Sequence, residues 1–286
     1  MNNNEGSSGV GLALTGAEQR NYDIRKVIAE LHPVSFFELQ PEDMIWRYED
    51  FYPLGDKKFN VHAPTKGIDI SSPDYDHRRK SIDYTIGAMN LANYVNAGFF
   101  VLHPVHQEGY FDPSERRRRR DIFLGSFSEI AAYRRENSHT YTLCLENVEP
   151  MKYPATLEEL EEAAELCGDT DMLLDIPHIW NTQRVLQNQS DVLGNVPGLE
   201  EIRSQDLVRY IRAFLAKQSD RVPYYHVANF GDSPVRTHDP LNRNSLNPLL
   251  RDVLRSIPRK PIMLEIYRQS TSVMLESVKT IEGVFE

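Results

Sequence analysis

The sequence holds only 2 cysteines in 286 residues, too few for a disulfide framework. Cys144 lies in an apolar, strand-like run and Cys167 near the end of a helical stretch. Both read as small buried hydrophobes in a reducing compartment. No run of roughly 18 or more apolar residues occurs, so no segment reads as a membrane span. The first residues, Met1 to Gly9, are polar and lack the basic start and apolar core of a secretory signal, which sets the expectation of a cytoplasmic protein. No Pro/Gly-rich linker or break in composition divides the chain. The expectation is therefore one domain over residues 1–286. An excess of positive charge is also missing: 32 Lys and Arg stand against 42 Asp and Glu, a net charge of −10. A field of that sign repels nucleic acid and anionic membranes at long range. A local basic patch or bound cations can still reverse the sign inside a cleft.

What is present is ordinary globular material, 40% hydrophobic and 26% charged. Wholesale disorder and a collagen-like fibre are excluded. Short apolar runs with β character alternate with amphipathic stretches. The runs are Gly9–Leu14, Val34–Leu39, Phe59–Ala63, Phe99–Val105, Tyr141–Val148, Met172–Ile176, Tyr224–Phe230 and Pro261–Ile266. Between them, Ser81–Asn96 and Leu157–Cys167 carry apolar residues near helical spacing. Asp112-Pro113-Ser114-Glu115 reads as an N-cap with proline in the first turn, and Thr156 with Glu159 as a capping box. Thr271–Phe285 closes the pattern as an eighth helix. Pro41–Tyr52 is the weakest helix, short and aromatic-rich. Trp180–Gly198 reads as the longest insertion, polar and turn-rich, on the side where long loops shape a site.

Strict alternation of strand and helix implies a parallel sheet. Eight units of roughly 36 residues close that sheet into a single (β/α)8 TIM barrel.

The chemistry-bearing residues share one placement. His62, His103, Glu146, Asp175 and Glu265 sit at or just past the ends of apolar runs, and His226 lies within one. His178 follows Asp175, and His238 with Asp239 follows the seventh run in a loop. In a closed barrel these positions converge on one mouth. Left empty, such a ring would bury repelling acids and unpaired polar groups. Divalent cations resolve this, and imidazole with carboxylate suits zinc, manganese or iron(II). Alone, each residue reads more simply, as a bonded rim residue or a helix cap. Together they point to metal. Asp239 reads as a turn residue before Pro240. His106 reads as a solvated loop residue or an outer support to His103, and His32, His77 and His139 as structural. Arg116–Arg120 is the one basic block. Five consecutive residues point all around a helix, so the block reads as solvated, with attraction of phosphate to the mouth as the alternative.

The ordered set VHAP, VLHP, LCLENV, LLDIPH, YHVAN, THDP and IMLEI, between about Phe59 and Arg268, resembles the xylose isomerase-like barrel superfamily. It is most similar to the branch that holds endonuclease IV and the ultraviolet-damage endonucleases. The resemblance implies one ion on His62, His103 and Glu146. It implies a second on Glu146, Asp175, His226 and Glu265, with Glu146 bridging, and a third served by His178 and His238. The chain departs from that branch in places. Arg236 stands where endonuclease IV has an aspartate, and Tyr224 where the ultraviolet-damage enzymes have a lysine. Thr65-Lys66-Gly67 stands where an aromatic often enters DNA, and GLALTGAEQ lacks the His- and Gly-rich DNA-contacting loop. The resemblance thus implies a retained metal centre without the DNA-gripping surface. Arg236 and His106 are candidate substrate-binding groups.

Three readings stay open. One is a hydrolase of a phosphate ester or diester on one to three divalent ions, with Glu146, Asp175 and Glu265 as the catalytic carboxylates. The second is a sugar or sugar-phosphate isomerase or epimerase on one ion, with His62 and His103 binding substrate hydroxyls. The third is a non-catalytic barrel or an iron-dependent oxidase. The expected partner is a small or phosphate-containing molecule; nucleic acid is possible but not favoured. The sequence leaves the oligomeric state unknown.

Overall fold

Every apolar run read from the sequence contributes a strand, and the eight strands pair in sequence order into a closed barrel, β1 to β8. They are β1 Val10–Thr15, β2 Phe36–Gln40, β3 Lys58–His62, β4 Phe99–Leu102, β5 Thr142–Glu146, β6 Thr170–Asp175, β7 Tyr225–Val227 and β8 Ile262–Leu264. All neighbours are parallel, and β1 closes on β8 through Val10 opposite Ile262. This computed structural model describes residues 9–15, 24–32, 34, 36–41, 57–104, 113–150, 152–188, 198–231, 238–242, 244–266 and 269–286. The short helix expected over Pro41–Tyr52 lies, beyond Pro41, outside the described residues, as do Asp112, His106 and Arg236. No helix among the described residues is long and apolar enough to cross a membrane.

Alternation along each strand builds the interior in layers. Phe37, Leu39, Val61, Phe100, Leu102, Leu143, Leu145, Leu174 and Leu264 point outward into the core shared with the helices. Ala13, Val101, Cys144, Leu173, Tyr224 and Met263 point inward and form a plug, backed by Phe36 and Phe99. Two residues beyond the inward position, five strands carry a polar group: His103 after Val101, Glu146 after Cys144, Asp175 after Leu173, His226 after Tyr224 and Glu265 after Met263. The plug forms the floor of the site, and the polar layer lies on it. Both cysteines are buried and free.

Helix starts follow local chemistry. Thr156 and Glu159 form the expected capping box at Leu157–Leu166. Asp74 accepts from the His77 amide at the start of Tyr75–Tyr94. The sixth unit differs from expectation. A helix, Ile176–Asn188, begins directly after β6, so the first half of the supposed Trp180–Gly198 insertion is helical. Ile176, Ile179, Trp180 and Leu186 are buried at helical spacing, and this stripe outweighs the polar composition.

The arginine block is also not mainly solvated. Arg116 is 4% exposed and bonds both Glu159 oxygens at 2.6 Å. Arg119 bonds Asp69 and Glu115 at 2.8 Å, and Arg120 bonds Glu162. The helix lies between two acid-bearing neighbours, which consume these three cations. Arg117 and Arg118 stay exposed, Arg118 with a long contact to Glu115.

Candidate metal centre

The strand ends bring together all eight residues expected to bind metal. His62, Glu146, Asp175, His178, His226 and Glu265 are each 3% exposed or less. Glu146 is central. Its Oε2 lies 3.0 Å from His62 Nε2, and its Oε1 lies 3.1 Å from His226 Nδ1. Glu265 joins the same cluster, with Oε1 3.3 Å from His226 Nδ1 and Oε2 3.3 Å from His238 Nε2. His62 donates Nδ1–H to the Ala63 carbonyl at 2.7 Å. This bond fixes the ring and directs Nε2 at Glu146.

Asp175 is set by Asn147. The Asn147 amide accepts from the Asp175 backbone N–H at 2.9 Å and donates to the Asp175 carbonyl at 3.0 Å. Asp175 Oδ1 accepts the His178 amide at 2.5 Å, which caps the following helix. Its Oδ2 is buried with no hydrogen-bond partner among the described residues. His178 has Nδ1 3.0 Å from the Asn147 carbonyl, an N–H donor to that oxygen, so Nε2 faces the mouth. His238 is better anchored than its loop pattern suggested. Asn229 and Asp239 exchange two backbone hydrogen bonds, at 3.0 and 3.1 Å, and hold His238 against Glu265. Asp239, read as a turn residue, makes this bridge through its backbone.

His103 stands beside both His62 and His178, with ring centroids 5.8 and 5.6 Å away. Its Nδ1 is buried without a hydrogen-bond partner among the described residues. Candidate ligand atoms of Glu146, Asp175, His226 and Glu265 lie within 4.8 Å of one another, as do those of Asp175, His178 and His238. Two further groups include acids that sequence reasoning missed: His103, Glu149 and His178, and Glu38, His62 and Glu265. Glu149 follows β5 and pairs with Lys152 at 2.6 Å. Glu38 lies in β2, is 1% exposed and contacts His226. An acid inside the apolar run FFEL was the available signal, because a fully buried glutamate is rare unless paired.

The electrostatics set buried carboxylates against the histidines that face them. Burial alone would lower His62, but the bonded Glu146, with Glu38 and Glu265 nearby, raises it to about 9. His226 is likewise raised, against burial, by Glu38, Glu265 and Glu146. Burial opposes ionisation of Glu146 and Glu265, yet the facing histidines hold both below the usual carboxylate range. Asp175 goes the other way: burial, then repulsion from Glu265 and Glu146, pushes it up. Burial lowers His103 to about 3, so it stays a neutral imidazole, the form that binds metal. Neutral and anionic donors on imidazole and carboxylate groups fit a divalent ion such as zinc, manganese or iron(II).

A family model described as xylose isomerase-like TIM barrel matches residues 54–283. The chain belongs to the xylose isomerase-like TIM barrel family. Comparison with curated protein sequences gives no match. Among solved structures, this xylose isomerase-like barrel is similar to a Thermus thermophilus protein whose crystals were soaked with zinc chloride: 19% identity, 96% of this chain and 98% of that one covered, TM-score 0.62. It is similar to endonuclease IV of the same organism, at 18% identity, 97% and 98% coverage and TM-score 0.59. It is also similar to a D-tagatose 3-epimerase-like protein, at 16% identity, 97% coverage of each chain and TM-score 0.66. At these identities the likeness is one of fold, and the fold is shared by endonucleases and sugar epimerases alike.

Proposed function

We propose that the chain is a divalent-metal-dependent hydrolase of a phosphate ester or phosphodiester, with a polynuclear centre at the barrel mouth. The observation that carries this reading is the division of Glu146: one carboxylate oxygen faces His62, the other faces His226. A carboxylate whose two oxygens face different histidines is able to bridge two ions. His62, with His103 beside it, faces Oε2, and His226, grouped with Asp175 and Glu265, faces Oε1. His178 and His238 offer a third position beside Asp175. Zinc, manganese or iron ions held there would activate water and neutralise charge developing on the phosphoryl oxygens.

The side chains divide the remaining work. Glu146 and Glu265, held ionised, supply the negative charge that retains cations. Asp175 Oδ2 has no hydrogen-bond partner among the described residues, so it is placed to ligate a cation or to accept the proton of the attacking water. Arg116, Arg119 and Arg120 are bound to acids and offer no ready basic track for duplex DNA. A small phosphate-containing substrate is therefore favoured over nucleic acid. Arg236 and His106 remain candidate substrate contacts from their positions in the sequence.

The second reading, a sugar or sugar-phosphate isomerase or epimerase, has its own observation. Glu146, Asp175, His226 and Glu265 already form a complete four-residue group without His62 or His103. The experiment that separates the two incubates protein loaded with zinc or manganese with bis(p-nitrophenyl) phosphate, an abasic-site duplex and a panel of ketohexoses. Phosphoester cleavage lost in Glu146→Gln supports the hydrolase. Epimerised sugar with no cleavage of either phosphodiester sinks it.

A further inference from the structure

Beneath the mouth, on the floor side of His226, Glu38 and Tyr224 form a polar group to which the proposed function gives no role. Glu38 reaches across the barrel from β2 and places its two carboxylate oxygens 3.1 and 3.2 Å from His226 Nε2. Tyr224 donates its hydroxyl to Glu38 Oε2 at 2.7 Å. All three side chains are 1% exposed or less, so no solvent competes for these bonds. The other nitrogen of the same ring, Nδ1, faces Glu146 and Glu265 at 3.1 and 3.3 Å. The imidazole thus has one nitrogen toward the site and one toward a buried carboxylate.

We infer that Glu38 is the positioning residue of the centre: it accepts the Nε2 proton of His226, fixes that tautomer, and so presents Nδ1 as the metal donor, with Tyr224 holding Glu38 in place. This inference rests on the metal reading above and adds a residue to it. The physical reasons are two. A neutral imidazole carries one proton on either nitrogen, and an ion at Nδ1 requires it on Nε2, where only an acceptor can stabilise it. A carboxylate behind a ligating histidine also makes the ring a stronger donor, and loss of such a partner costs about 10–100-fold in metal affinity. Tyr224 sets the direction of Glu38. Its hydroxyl occupies Oε2, and Phe99 packs on its ring with centroids 5.2 Å apart. The acid cannot swing toward Glu146 without breaking that bond.

The test uses the full chain and zinc as the probe. Zinc affinity and stoichiometry are measured by chelator competition for wild type, Glu38→Gln and Tyr224→Phe. The His226 ring nitrogens are read by long-range proton–nitrogen correlation in the zinc-loaded wild type. The expected result is an unchanged number of bound ions, zinc binding weakened about 10–100-fold in Glu38→Gln and less in Tyr224→Phe, and a protonated Nε2 on His226. The conservative Tyr224→Phe keeps the packing and loses one hydrogen bond, so it reports even if Glu38→Gln folds poorly. Wild-type affinity in both variants, or a proton on Nδ1, overturns the inference while leaving the metal reading intact. Loss of a whole equivalent of zinc in Glu38→Gln also overturns it, because Glu38 would then be a ligand. If the wild type itself binds no zinc, both readings fall together.

Discussion

His62 and Glu146 meet at 3.0 Å inside the barrel, where neither side chain reaches solvent. With Nδ1 already given to the Ala63 carbonyl, His62 Nε2 faces Glu146 either as an N–H or as a lone pair sharing a cation with it. The proton and the metal therefore compete for one place.

That competition has a sign. His62 holds its proton up to about pH 9 in metal-free protein, well above the ordinary histidine value of about 6.5. Metal must displace it. The part of zinc affinity that depends on His62 is expected to rise with pH up to about 9, by up to about tenfold per unit for each proton released. The proton's own contribution to the stability of the metal-free fold runs the other way: fully present below about pH 6.5, lost as pH rises through about 9. Chelator competition across pH checks the first trend and melting of stripped protein the second. Affinity independent of pH would remove the shared site.

Removing the imidazole separates the two functional readings. His62→Ala is expected to cost about one ion per chain while the group of Glu146, Asp175, His226 and Glu265 keeps its own. Phosphoester cleavage should fall by at least about 100-fold. Unchanged ion content with intact turnover would return His62 to a substrate-binding role.

Asp175 supplies the third prediction. Asp175→Asn keeps the Asn147 clamp, which grips the backbone, but removes the carboxylate oxygen proposed to take up a proton. The expected result is a fall in kcat of about 100-fold or more with a smaller change in KM. An equal loss in both would make Asp175 a binding group only.

Arg116 tests the fold rather than the chemistry. It forms a two-bond pair with Glu159, and both side chains are 4% exposed or less. Arg116→Met leaves Glu159 charged and buried without its counter-ion, which costs about 3–5 kcal/mol. At roughly 2–4 °C per kcal/mol for a large domain, the melting point should drop by about 6–20 °C. A drop under about 2 °C would show the pair to be dispensable.

The barrel was legible because its signal repeats. Each strand announces itself as an apolar run, and the inward alternation that puts Val101 in the plug puts His103 in the site. The gathering of these acids and histidines was legible for the same reason, since strand ends have one place to meet. Glu38 escaped because it sits mid-strand, and its partner His226 is distant in sequence. Only barrel closure brings them together. Glu149 escaped because it follows β5 in a loop, where no period constrains it. The helix Ile176–Asn188 was hidden by polar residues on its exposed face, and the pairing of Arg116 by a run of identical neighbours. In each of these cases the deciding information is a contact between elements, which local pattern does not carry.

The most direct test of the shared carboxylate is metal content. Protein purified without chelator is analysed by mass spectrometry of metals, alongside Glu146→Gln. Two or three ions per chain in the wild type, with both sides depleted by the single substitution, are expected of a bridging Glu146. One ion or fewer in the wild type would contradict the polynuclear centre and leave the isomerase reading in its place.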